Sequence, residues 1–191
     1  MKSGHTAYRS TARVVLVTAC ILTVPLIAMQ VTNEVRWSPF DFLVAGALLI
    51  GTGLAFEFLA SRADSSAYRL AAGVTLGTVL MLVWANLAVG IIGDEGNPAN
   101  LMYYGVLGVG ILGAIIARLQ PRGMARALFA TAIAQALVAG IALSLGLGAP
   151  ANGRMEILAP NGFFVALFVL SAWLFRRAEQ KQASAGTVPR R

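Results

Sequence analysis

The sequence predicts an all-α polytopic membrane protein, with six transmembrane helices as three hairpins and both termini cytoplasmic. Three observations carry this. The 191 residues are 58% hydrophobic and 12% charged, with a mean hydropathy of +0.74, whereas charged residues alone make up about a quarter of a soluble domain. Six apolar stretches alternate with short polar connections. Thirteen of the fifteen Lys and Arg residues sit at alternate connections.

The apolar stretches run from Val14 to Met29, Phe40 to Ala60, Leu70 to Ile92, Leu101 to Ala117, Met124 to Leu147 and Asn161 to Phe175. A span needs about 20 helical residues, so the fourth and sixth are short and are expected to be buried by neighbours or extended at their outer ends. Continuous apolar runs exclude a transmembrane β-barrel, whose strands alternate in character residue by residue. The first stretch has a basic flank, but Pro25 lies inside it and no small-x-small cleavage site follows before Asn33 and Glu34. It therefore reads as a retained helix and not a secretory leader. The expected organisation is a cytoplasmic tail over 1–13, a transmembrane domain over 14–177 and a disordered basic tail over 178–191.

Orientation follows from the positive-inside rule. Lys2, Arg9 and Arg13 precede the first span. Arg62 and Arg69 lie in the second loop, and Arg118, Arg122 and Arg126 in the fourth. Arg176, Arg177, Lys181, Arg190 and Arg191 follow the last span. The other loops hold only Arg36 and Arg154, with Glu34, Asp94, Glu95 and Glu156. The net charge of +7 is thus accounted for by topology and implies no nucleic acid. The lipid bilayer is the expected partner, with a homo-oligomer or membrane-complex partner beside it. The preference for Arg over Lys and the abundance of Ala, Gly and Leu suit a GC-rich bacterium, and hence a bacterial cytoplasmic membrane.

Each returning helix is expected to open on proline followed by a capping residue: Pro39 with Asp41, Pro98 with Asn100, Pro160 with Asn161. Proline suits the first helical turn and Asp or Asn can accept from its free N–H groups. Leu87-Ala88-Val89-Gly90 is echoed by Leu137-Val138-Ala139-Gly140; parallel repeats of the kind found in transporters would explain this, but any hairpin protein needs caps outside and arginines inside, and that plainer reading is preferred.

Charge and amides within the spans mark functional candidates, because they are expensive in lipid. Glu57, Asn86 and Gln135 form the candidate intramembrane polar site. Glu57 lies near the cytoplasmic end, where it can pair with Arg118, Arg122 or Arg126. Interhelical hydrogen bonding is the default for Asn86 and Gln135. The third external connection offers Asp94, Glu95, Asn97 and Asn100, oxygen donors suited to a hard cation such as calcium. Their spacing is not that of an EF-hand loop, and a solvated turn with a helix cap explains the same residues. Trp37, Trp84, Tyr103 and Tyr104 read as an interfacial aromatic belt. Gly105, Gly108, Gly110 and Gly113 of the fourth helix, and Gly46, Gly51 and Gly53 of the second, let backbones approach closely.

No catalytic constellation emerges. The one histidine, His5, lies in the N-terminal tail and the one cysteine, Cys20, reads as a small packing residue, so there is no disulfide framework, metal site, cofactor motif or triad. Trp37-Ser38-Pro39-Phe40-Asp41-Phe42, Asn86-Leu87-Ala88-Val89-Gly90-Ile91-Ile92-Gly93 and Asn97-Pro98-Ala99-Asn100 resemble segments of a family of small uncharacterised multi-pass proteins of bacterial inner membranes. That resemblance spans most of the chain and implies topology and location, with no activity or site attached. Two function classes remain: a non-enzymatic protein packing with itself or a membrane complex, and a small transporter or channel for a cation or small polar solute using Glu57 and Gln135.

Overall fold

A computed structural model describes residues 3–63, 65–149 and 153–186. Among the described residues there is no β-strand. The helices are α1 (Ser3–Val31), α2 (Pro39–Ser61), α3 (Ser66–Ala88), α4 (Met102–Ile116, led in by a 3-10 turn at Pro98–Leu101), α5 (Pro121–Leu145) and α6 (Arg154–Gly186). All six spans, α4 taken with its leading turn, are long and apolar enough to cross a membrane, with mean hydropathies of 1.7 to 2.4. Large apolar side chains such as Leu16, Leu43, Ile115, Ile116 and Leu137 stay exposed. An apolar exterior of this extent is a liability in water and the natural surface in lipid.

The chain forms two compact units, 1–61 and 62–191. In the first, α1 packs on α2. A Cβ on Gly53 would stand 2.6 Å from Val14 Cγ1, and one on Gly46 would meet Leu22 at 3.6 Å, whereas Gly51 faces open space. The start of α2 is a reciprocal capping box. The Ser38 N–H and hydroxyl both donate to Asp41 Oδ2 (2.7 and 2.9 Å), and the Asp41 N–H donates back to Ser38 Oγ (3.3 Å). Cys20, expected to pack, is exposed, because the buried face of α1 at that level is taken by Thr18.

In the second unit α6 packs on both α3 and α5, and α4 packs on α5. The buried faces are stripes with alternating steps of three and four residues: Tyr68, Ala71, Thr75, Thr78 and Leu82 in α3, Met124, Leu128, Thr131, Gln135, Val138 and Ala142 in α5, and Asn161, Phe164, Phe168, Ser171, Phe175 and Ala178 in α6. This is the spacing that keeps one seam of a helix against a partner along its length. Thr75, Thr78, Thr131 and Ser171 enter these seams by donating their hydroxyls to the carbonyl four residues back, at 2.7 to 2.9 Å, so their polarity is absorbed within their own helix.

The α4–α5 turn carries Arg118 and Leu119 at φ of 48° and 59°, a region non-glycine residues rarely enter. The Tyr68 hydroxyl of α3 donates to the Leu119 carbonyl at 2.7 Å, and its ring meets Phe175 of α6 edge-on at 5.1 Å. One tyrosine thereby ties the turn to two other helices, an external constraint of the kind such backbone needs.

Three expectations change. Helix α6 begins at Arg154, so Pro160 lies inside it and Asn161 is not a cap. The cap is local and earlier, where the Gly153 N–H donates to Glu156 Oε2 at 3.1 Å. The basic segment from 178 continues α6 as helix to Gly186, and helix α1 begins at Ser3, inside the expected tail. Lys2, Arg190 and Arg191 lie outside the described residues. The two echoed tetrapeptides are not equivalent either. Gly90 terminates α3 with φ of +72°, where a Cβ would run into the Asp94 carbonyl, whereas 137–140 is uninterrupted α5.

Candidate functional site

The buried amides of the second unit fall into two hydrogen-bonded networks. The first is built on α6. Asn161 is 1% exposed and donates from Nδ2 to the Ile157 carbonyl at 2.8 Å, which fixes its amide plane. Its Oδ1 then accepts twice, from the Tyr103 hydroxyl of α4 at 3.1 Å and from Gln135 Nε2 of α5 at 2.9 Å. Three helices are joined at one oxygen. Gln135 is fully buried and its Oε1 has no hydrogen-bond partner among the described residues, so the cluster holds one unused acceptor away from solvent. An unpaired buried acceptor is costly, and it is also where a donor from a water or a small polar solute would be taken up.

The second network is built on Asn100, at the start of the fourth span. Its Oδ1 accepts from the Ile91 and Ile92 N–H groups, each at 3.0 Å, and its Nδ2 donates to the carbonyls of Ile92 (3.1 Å) and Asp94 (2.7 Å). One side chain thus satisfies the backbone of the segment between α3 and α4. Asn97 caps the 3-10 turn by accepting from the Ala99 N–H (2.9 Å), and its Nδ2 donates to the Leu147 carbonyl beyond α5 (2.9 Å). Asp94 Oδ1 accepts from the Gly96 N–H at 3.0 Å, and Glu95 is exposed. Asn86 joins this network through a long bond from Nδ2 to the Asn100 carbonyl, 3.4 Å, with its Oδ1 unpartnered among the described residues. Three of the four residues offered for a cation, Asp94, Asn97 and Asn100, thus each use a side-chain oxygen to hold the loop. Among the described residues no group of three or more His, Cys, Asp or Glu is arranged to hold a metal ion.

Of the expected candidates Glu57, Asn86 and Gln135, the two amides of the second unit thus join different networks. Gln135 belongs to the three-helix cluster and Asn86 to the Asn100 network, while Glu57 is half-buried on α2 in the first unit. Arg122, one of the arginines considered for Glu57, pairs with Glu179 at 3.6 Å. The glycines of α4 divide as well. Gly113 lies against Ala127 of α5, where a Cβ would stand 2.6 Å from the Ala127 Cβ, and Gly110 lies against Thr131 at 3.3 Å; Gly105 and Gly108 face open space.

Sequence reasoning missed Tyr103 and Asn161. Tyr103, read as part of an interfacial belt, is 1% exposed, while Trp84 and Tyr104 are 37% and 50% exposed. The signal for Asn161 was its place in register with Phe164, Phe168 and Phe175, three- and four-residue steps that put it on the buried seam.

Six apolar spans, an apolar exterior and polar groups gathered inside define a multi-pass α-helical membrane protein. The chain matches no known protein-family model, no curated protein and no solved structure.

Proposed function

We propose that this is a non-enzymatic protein of a bacterial cytoplasmic membrane that packs with itself or with a membrane complex. Its spans form three successive hairpins with both termini cytoplasmic, following the distribution of arginine. The observation that carries the reading is the division of the α4 glycines. Gly110 and Gly113 are used against α5, but a Cβ on Gly105 or Gly108 would meet nothing within 4 Å among the described residues, and both share one side of α4 with exposed Leu101, Val109 and Leu112. Small residues in lipid serve close backbone approach, and a furrow left open on one helix fits a helix from another chain.

The test is the double variant Gly105→Leu, Gly108→Leu, followed by light scattering after extraction in mild detergent. The expected outcome is a shift from a defined assembly to monomer with unchanged thermal stability. An assembly that survives the double variant overturns the reading. Gly113→Leu is the contrasting probe, since it strikes Ala127 and disturbs the chain's own fold.

The second reading, a small transporter or channel for a cation or polar solute, is favoured by the unpaired buried oxygens Gln135 Oε1 and Asn86 Oδ1. On this reading Glu57→Gln and Gln135→Leu each abolish potassium or proton flux into proteoliposomes. Flux unchanged by both removes it.

A further inference from the structure

Where α5 begins and α6 nears its end, the two helices border a groove of about 1140 Å³. Its rim carries Arg122 and Arg126 from α5 and Arg176 and Arg177 from α6, against the single carboxylate of Glu179. Arg122 is matched by that carboxylate, Nε to Oε1 at 3.6 Å. The Arg177 guanidinium lies 3.6 Å over the Trp173 ring, an arrangement that leaves its in-plane N–H donors free for another acceptor. Arg126 and Arg176 have no anionic partner among the described residues. The positive-inside rule asks only that arginines lie on one side of the membrane; it does not ask two helices to gather four of them around one concavity.

Below the rim the walls are apolar. Phe129 and Val169 line the groove and are 56% and 41% exposed, so they are open to lipid. At 1.5 Å per residue, Val169 lies roughly 10 Å along α6 from Arg176. An occupant matching both parts is anionic at one end and apolar over about that length. Inorganic phosphate would satisfy the rim and leave the walls bare, and the volume is slightly above the roughly 300–1,000 Å³ of drug-sized sites.

We propose that this groove is a binding site for an anionic phospholipid. Its phosphate diester is held by Arg126 and Arg176, with Arg177 contributing from its seat on Trp173, and an acyl chain lies along Phe129 and Val169. Guanidinium forks match phosphate oxygens, and basic pockets between membrane helices are where such headgroups are held. The site is independent of the assembly reading above.

The test is native mass spectrometry of the full chain in detergent with added dioleoylphosphatidylglycerol or dioleoylphosphatidylcholine. Phosphatidylglycerol is expected to be retained with roughly tenfold preference. Arg126→Gln with Arg176→Gln removes that preference, and Arg36→Gln with Arg154→Gln keeps it. Equal retention of the two lipids, or a preference surviving the first pair, overturns the proposal. Displacement of the lipid by inorganic phosphate also overturns it, in favour of a free-anion site. A second readout avoids altering the arginines. In a Trp37→Phe, Trp84→Phe background, phosphatidylglycerol brominated on its acyl chains should quench Trp173 more strongly than brominated phosphatidylcholine, and equal quenching counts against the site.

Discussion

Asn100 and Asn161 are both buried, and both follow a proline closely in sequence, yet they do opposite work. Asn100 spends its whole amide on backbone groups, all within nine residues of itself. Asn161 spends one bond on its own helix and offers its oxygen to side chains of two other helices. The reason is the local backbone. The segment between α3 and α4 is irregular and leaves N–H and C=O groups that need partners, whereas α6 satisfies its own backbone and leaves the amide free for other helices. Asn100 itself is saturated by backbone, whereas Asn161 draws in side chains; each network still ends on one buried amide oxygen without a partner among the described residues, Asn86 Oδ1 in that of Asn100 and Gln135 Oε1 in that of Asn161.

The sharpest test of that contrast is Asn100→Ala. It strips partners from the Ile91 and Ile92 N–H groups, on residues 6% and 0% exposed, and should destabilise the second unit by about 3–5 kcal/mol. Reversible unfolding in mixed micelles, followed by circular dichroism, would measure this. A loss below about 1 kcal/mol would mean that the loop finds other partners and that Asn100 is no organiser. Asn161→Leu should matter less, about 1–2 kcal/mol, because hydrogen bonds between membrane helices are individually modest. Tyr103→Phe should reproduce part of that loss in the same assay, and a double variant no worse than Asn161→Leu alone would show that the two act through one bond. The smallest effect belongs to Gln135→Leu, which loses one hydrogen bond but also removes the unpaired oxygen. Stability should stay within about 1 kcal/mol of the parent. A loss as large as that of Asn161→Leu would show that Oε1 is occupied in the membrane, the condition that the transport reading requires.

Much of this molecule was legible residue by residue. The spans came from hydropathy, and the start of α2 from Pro39 and Asp41, because both depend on neighbours within one helical turn. The same reasoning failed at Pro160-Asn161, where the proline-and-amide pattern was present but the helix had already begun at Arg154 under a Gly153–Glu156 cap. The echo of 87–90 at 137–140 carries no equivalent local structure, since a Leu-to-Gly tetrapeptide ends a helix only where the chain after it turns away. The glycines of α4 could be recognised as packing residues, but not sorted, because which side faces α5 depends on where α5 lies.

The sequence alone determined that the chain lives in a membrane, how many times it is able to cross and which helix ends carry arginine, because transfer free energy and capping are local and additive along the chain. Only the tertiary structure decided which amide meets which hydroxyl. The bond from Tyr103 to Asn161 spans 58 residues and that from Gln135 to Asn161 spans 26. In lipid nothing in a single helix prefers one interior partner over another until the seams of α4, α5 and α6 are brought together.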